Sequence, residues 1–250
     1  MESSLPKITA NYDHIELSDE ELSKAIHEAK KSKDAKLKMQ EYSQRLLQKP
    51  VYPKWDFEAI KNYVIGNNPN YVIDEKNQEI FELLCMYFSN DPGFEIDGYS
   101  LNKGLMLFGP IGCGKTSLMK MFSVNTHKPF AVVSCRSIAD KYSKDGSNAL
   151  YEFASPAACY PQQNYGHELL GRCFDDLGTE DSKKNYGNEV NVMQDVIYKI
   201  YDNDGIGDFH ITTNLSVDEI EQAYGSRIRS RLREMFNVIT FDKSSPDRRK

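Results

Sequence analysis

Residues Gly109-Pro110-Ile111-Gly112-Cys113-Gly114-Lys115-Thr116 spell G-x-x-x-x-G-K-T. No other stretch constrains the chain as tightly, because this loop works only between a strand and a helix. Gly104-Leu105-Met106-Leu107-Phe108 upstream is a short apolar run suited to a buried parallel strand. Ser117 to Phe122 downstream has no breaker and carries apolar residues at helical spacing. Glycines let consecutive backbone N–H groups turn inward on phosphates, and the helix N-terminus adds partial positive charge. The candidate phosphate-binding residues are therefore Gly109, Pro110, Ile111, Gly112, Cys113, Gly114, Lys115, Thr116 and Ser117. Lys115 can reach the β- and γ-phosphates, and the Thr116 hydroxyl can ligate Mg²⁺.

The 250 residues, 40% of them hydrophobic, suffice for one α/β core and a smaller appendage. A net charge of −6 argues against a protein that coats nucleic acid generally. None of the five cysteines forms a C-x-x-C pair, and no Cys/His cluster has zinc spacing, so reduced thiols in a cytoplasmic protein are expected. The N-terminus lacks an apolar signal core and no run approaches about 18 apolar residues, so no membrane association is expected.

Residues 1–16 have no periodicity. Ser18 with Glu21 reads as a capping box opening a helix, with Leu17 placed to staple onto Leu22. Leu22, Ala25, Ile26 and Ala29, then Ala35, Met39, Tyr42 and Leu46, continue at helical spacing across a Lys-rich stretch. This reads as a partner-binding helix or hairpin, or as a plain solvated appendage. Pro50 and Pro53 end it, giving a division into a helical partner-binding region over 1–52 and an ATPase domain over 53–250. Helices are expected from Asp56 through Tyr63 and from Asp74. Strands are expected at 130–134, 169–175, 209–213 and 238–241, with helices at 138–142, 149–153, 190–201, 218–224 and 226–235. Residues 155–166 read as irregular connection. Strands alternating with helices imply an α/β fold, a parallel sheet with helices on both faces.

Asp175 and Asp176 end a strand about 60 residues beyond Lys115. In a P-loop ATPase the first would hold Mg²⁺ and the second would orient or deprotonate the attacking water; by themselves they are also ordinary turn chemistry. Asn214 ends the strand over 209–213, where it can touch a γ-phosphate or start a helix cap. Arg227 and Arg231 share a helix face, with Ile228 and Leu232 beside them, which suits a phosphate in cis or across a subunit boundary, or simply a solvated basic helix.

From about Lys76 onward the chain resembles the DnaC/IstB group of AAA+ P-loop ATPases. The resemblance rests on Lys103 to Thr116, on Phe174-Asp175-Asp176-Leu177-Gly178, on Thr212-Thr213-Asn214-Leu215, on Tyr224 to Leu232 and on Ser245-Pro246-Asp247-Arg248-Arg249. It implies an ATP- and Mg²⁺-using ATPase with slow turnover and no C-terminal helical lid. Asn214 would be the sensor-1 residue, Arg231 or Arg227 the finger acting on a neighbouring subunit's ATP, and Arg248 the sensor-2 arginine. It also implies a helicase loader in DNA replication that grips a hexameric replicative helicase through its N-terminal region, meets single-stranded DNA and self-associates through its ATP sites. An IstB-like transposition helper and a nucleotide-gated adaptor are the alternatives. A small-molecule kinase fits less well, given the paired arginines and the separate appendage. Two departures stand out: Asp176 occupies the place where AAA+ proteins commonly carry Glu, and Gly171 and Arg172 interrupt the strand before it.

Overall fold

A computed structural model describes residues 15–47, 51–180, 183–185, 188–203, 205 and 207–249. The chain divides into two compact units, Met1–Pro50 and Val51–Lys250.

In the first unit, α1 spans Asp19–Leu47. The Ser18 N–H donates to Glu21 Oε2 at 2.9 Å, and Glu21 N–H donates back to Ser18 Oγ at 3.4 Å. That reciprocal pair satisfies two donors that an N-terminus leaves open. Ion pairs Glu20–Lys24 and Asp34–Lys38 brace one turn each at 2.7 Å. Every side chain described in this helix is exposed, including Leu22, Ile26, Leu37 and Met39. The side chains of Tyr42 and Leu46, residues 1–14 and Pro50 lie outside the described residues.

The second unit opens with α2 (Phe57–Asn67), whose cap Asp56 accepts from Ala59 N–H at 2.9 Å. Next come α3 (Gln78–Phe88), β1 (Gly104–Phe108), α4 (Lys115–Phe122), β2 (Phe130–Ser134), α5 (Cys135–Asp145) and α6 (Ser147–Phe153). The chain continues through β3 (Ala157–Ala158), β4 (Leu169–Leu177), β5 (Lys183–Asn185), β6 (Asn188–Val190), α7 (Val192–Asp202) and β7 (Phe209–Thr213). It ends with α8 (Val217–Tyr224), α9 (Ser226–Met235) and β8 (Phe236–Thr240).

The main sheet runs β2-β4-β7-β1-β8 with every one of those pairs parallel, and β3 joins β4 antiparallel. Strands β5 and β6 form a separate antiparallel pair. Alternation along β1 sends Leu105 and Leu107 into one core layer with α2, α3 and α4, and Met106 and Phe108 into the opposite layer with α5 to α9. The fold is thus the expected α/β P-loop arrangement with helices on both faces. Fully buried Phe88 stacks on Phe122, with Phe81 tilted against Phe122, each ring contributing roughly 2–3 kcal/mol relative to exposure.

Several elements differ from the sequence reading for visible reasons. Helix α3 starts at Gln78 rather than Asp74, because the buried Asn77 side chain accepts from Asp74 N–H at 2.8 Å and donates to Val72 O at 3.0 Å, closing a turn first. Strand β4 tolerates its odd residues because each has a task. A Cβ on Gly171 would stand 2.2 Å from Asp208 O. Arg172 caps the end of α6, donating to the carbonyls of Ser155 at 2.7 Å and Glu152 at 3.0 Å. Strand β8 begins two residues early, since α9 passes straight into pairing of Phe236 with Gly104. The expected irregular stretch over 155–166 contains the short β3. Among the described residues, no helix is long and apolar enough to cross a membrane.

A candidate nucleotide-binding cleft

The P-loop leaves the end of β1, an interior strand between β7 and β8, and enters α4. Gly112 and Gly114 have φ of 82° and 106°, a region that only glycine enters freely. A Cβ on Gly112 would lie 2.2 Å from Asp247 Oδ1, so the exposed Asp247 side chain would have to swing aside to admit one. Lys115 is 4% exposed. Its ammonium donates to Gly109 O at 2.8 Å, Pro110 O at 3.0 Å and Asn214 Oδ1 at 2.7 Å. Cys113 is fully buried with its thiol 3.7 Å from that ammonium, whereas Ile111 stands exposed at the loop's tip.

The two carboxylates come from a bulge. Phe174 pairs with Ile211 and Leu177 with Thr213, so Asp175 and Asp176 together oppose the single residue Thr212. Asp176 takes φ of 57°, a left-handed conformation that Asp tolerates better than most residues. The bulge splits the neighbours. Asp175 Oδ1 accepts from Thr116 Oγ at 2.7 Å, while Asp176 lines the cleft and its Oδ1 lies 3.4 Å from Asn214 Nδ2. Asn214 therefore stands between Lys115 and Asp176. Helix α8 takes its cap from Ser216, which accepts from Glu219 N–H at 3.3 Å, so Asn214 is not spent on capping.

The cleft encloses about 430 Å³. Among the described residues, no group of three or more His, Cys, Asp or Glu could hold a metal ion. A cation here would rest on the hydroxyl of Thr116 and the carboxylate of Asp175, with phosphate oxygens and water completing its shell. Few protein ligands, all of them oxygen, fit Mg²⁺.

The sequence profile of the ATPase family associated with various cellular activities (AAA) matches residues 105–237, which is more than half of the chain. The chain belongs to the AAA family. Similar curated proteins include the proteasome-activating nucleotidase of Thermococcus onnurineus, 28% identical over 96 residues, covering 38% of this chain and 24% of that protein. The 26S proteasome regulatory subunit 8 homolog of Encephalitozoon cuniculi is 28% identical over 134 residues, 53% of this chain and 33% of that protein. This AAA chain thus spans about a quarter to a third of the length of these relatives. Among solved structures, the DnaC helicase loader matches with a TM-score of 0.44 at 14% identity, covering 70% of this chain and 95% of that one. AMPPCP-bound DnaA from Aquifex aeolicus matches with a TM-score of 0.47 at 14% identity, covering 80% and 54%.

The remaining singled-out arginines of the AAA chain part company. Arg248 lines the cleft: its N–H donates to Gly112 O at 2.9 Å, its Nε to Cys113 O at 3.2 Å, and its two terminal nitrogens to Asp74 at 2.7 and 2.9 Å. That fork holds the Asp74 carboxyl below the usual carboxylate range. Arg231 lies outside the cleft, its guanidinium over the rings of Tyr198 and Tyr201 at 4.5 and 4.4 Å and 3.9 Å from the Asp202 carboxylate. Arg227 is exposed on the same helix and does not line the cleft.

Sequence reasoning missed Asn70, Tyr71 and Val72, which form one wall of the cleft, and Asp74 behind them. Tyr71 closes over the loop where Gly114 has no side chain; a Cβ there would meet the Tyr71 oxygen at 3.4 Å. An adjoining groove shares Asn70, Tyr71 and Ser117 with the cleft and continues to Lys120 and Met121 of α4. The available signal is the turn-prone Asn67-Asn68-Pro69-Asn70 cluster, whose composition predicts a loop and says nothing of what that loop faces.

Proposed function

We propose that this AAA protein binds MgATP in the cleft between Tyr71 and Asn214 and hydrolyses it slowly, as a DnaC-like helicase loader. In this reading Lys115 and the P-loop N–H groups hold the phosphates. Thr116 and Asp175 would hold Mg²⁺, which when bound would supply charge neutralisation to the phosphoryl group. Asp176 orients or deprotonates the attacking water, and Asn214, which touches both Lys115 and Asp176, contacts the γ-phosphate or that water. Arg248 senses the nucleotide from the cleft wall. The shorter reach of Asp176, compared with Glu, is the reason to expect slow turnover.

The observation that carries the reading is the division of the charged groups. Lys115, Asp176, Asn214 and Arg248 line one cleft, while Arg231 lies outside it against Tyr198, Tyr201 and Asp202, so any nucleotide contact it makes would be with another chain's. Copies of this chain would then join through ATP, with Arg231, or Arg227 beside it, completing the neighbour's site. Region 1–52 carries an exposed helix and no ATPase motif, which suits gripping a hexameric replicative helicase while the ATPase domain (53–250) meets single-stranded DNA in the cytoplasm. The proteasome role in the relatives' names is not carried over, since at most 33% of their length aligns. The IstB-like helper would share the motor and differ in partner.

The test is ATP-dependent co-elution of the full chain with a purified hexameric replicative helicase. Binding that is lost on deleting residues 1–52, with nucleotide affinity retained, supports the loader. Binding to a transposase on duplex DNA instead would select the alternative, and full helicase binding by the deleted chain would remove the role of the N-terminal region.

A further inference from the structure

Thr212 sits opposite the bulge and is fully buried. Its hydroxyl is used twice. It donates to Asp175 Oδ1 at 2.7 Å and accepts from the Asp176 backbone N–H at 2.9 Å. A hydroxyl offers one donor and two acceptor positions, so both bonds are compatible. Two hydroxyls, those of Thr212 and Thr116, thus converge on one oxygen of Asp175. The Thr116 hydroxyl is the one expected to turn to the cation; the Thr212 hydroxyl has nowhere else to go. Next to it, Thr213 Oγ donates to Leu177 O at 2.8 Å and pins the far end of the bulge.

We propose that Thr212 is a positioning residue which fixes the Asp175 carboxylate toward the Mg²⁺ of MgATP and, through the Asp176 amide, holds the bulge that sends the two adjacent aspartates to different tasks. This rests on the reading in which Asp175 holds that cation. Without the hydroxyl, Asp175 can rotate about its side-chain bonds, and the left-handed Asp176 loses the partner of its backbone N–H. Outer-shell partners of a metal ligand are typically worth 10–100-fold in metal affinity or activity.

The experiment compares full-length wild type with Thr212→Val, Thr212→Ser and Asp175→Asn. A fluorescent ATP analogue is titrated in EDTA and then at rising Mg²⁺, and turnover is followed in parallel. Thr212→Val keeps the shape of the side chain and removes the hydroxyl. It is expected to bind the analogue normally in EDTA but to need about tenfold or more Mg²⁺ for the same tightening. Thr212→Ser, which keeps the hydroxyl, is expected to restore the wild-type Mg²⁺ dependence. A purely structural role would weaken binding equally with and without Mg²⁺, and that result overturns the proposal. So does a Thr212→Ser chain as impaired as Thr212→Val. Wild-type Mg²⁺ dependence in Thr212→Val, with Asp175→Asn impaired, removes Thr212 alone. Wild-type dependence in Asp175→Asn removes the parent reading and this one with it. Should Thr212→Val not fold, Thr212→Cys, a weak donor of similar size, is measured under the same criteria.

Discussion

Arg248 closes a two-pronged ion pair on Asp74, 174 residues earlier in the chain, with N–O separations of 2.7 and 2.9 Å. The pair ties the last described segment to the wall that carries Tyr71, across the mouth of the P-loop. The Arg248 side chain is 16% exposed and that of Asp74 37%, so solvent screening leaves the pair roughly 1 kcal/mol of stability. Its larger effect is on where the guanidinium points.

Asp74→Asn is therefore expected to lower nucleotide affinity by about tenfold while shifting thermal stability little. Arg248→Ala should do the same, and the double variant should be no worse than either single one. Strictly additive losses in a fluorescent-nucleotide titration would show that the two residues act separately.

Lys115→Ala removes a buried charge that three oxygens share in the structure. Charged hydrogen bonds contribute about 1.5–3 kcal/mol, so nucleotide affinity should fall roughly 10–100-fold with the fold retained. Calorimetric titration checks the affinity and circular dichroism the fold; unchanged affinity would overturn the P-loop assignment.

Asp176→Asn should leave binding in place and cut turnover by about 10²–10⁴-fold, the usual worth of a positioned acid or base. Asn accepts the left-handed backbone at this position, so the loss reports on chemistry rather than on strain. Asp175→Asn should instead impair the use of Mg²⁺. Equal small effects from both would argue against any division of labour across the bulge.

Arg231→Ala should bind ATP nearly normally and hydrolyse it poorly; a finger supplied by a neighbour is worth up to about 10³–10⁵-fold in rate. Mixing this variant with Lys115→Ala creates some interfaces in which both groups are intact. Partial recovery of turnover supports action across a boundary, and none, with mixed oligomers demonstrated, returns Arg231 to its own chain.

His210 adds a pH dependence. It is buried among Phe88, Phe130 and Tyr87, and its Nδ1 accepts from Leu105 N–H at 3.1 Å. Burial, with the Lys128 ammonium nearby, holds its pKa down at about 3, against 6.5 as a free side chain. The unfolded chain therefore takes up the proton first as pH falls. Stability present above pH 6.5 should be lost below it at about 1.4 kcal/mol per unit, down toward pH 3. Urea midpoints measured against pH should show this slope in wild type and a shallower one in His210→Asn, which keeps an acceptor for Leu105. Parallel slopes would assign the acid sensitivity to other groups.

What the sequence made legible was local. The strand, glycine loop and helix around Lys115 announce themselves in one stretch, and Asp175-Asp176 follows a run of strand-forming residues. Asn214 was ambiguous because a polar residue before a helix reads equally as a cap; Ser216 takes that task in the structure. The Asp74–Arg248 fork left no trace, since a pair formed over such a distance has no periodicity. Strand β4 was blurred by Gly171 and Arg172, whose reasons lie in the Asp208 carbonyl and the end of α6, neither adjacent in sequence. Thr212 looked like any β-branched strand residue, and only the register of β4 against β7 reveals what it faces.

The cleft draws its walls from Asn70–Val72 near the start of the larger unit and from Arg248 and Arg249 near its end. A nucleotide seated there works as a removable rivet between the two ends of that stretch of chain. At 100 times its dissociation constant such a ligand adds about 2.7 kcal/mol to the folded state. Occupancy would then bear on the durability of that last segment: the bonds after Arg248 and Arg249 would be less open to proteases that cut after arginine with the cleft filled than with it empty.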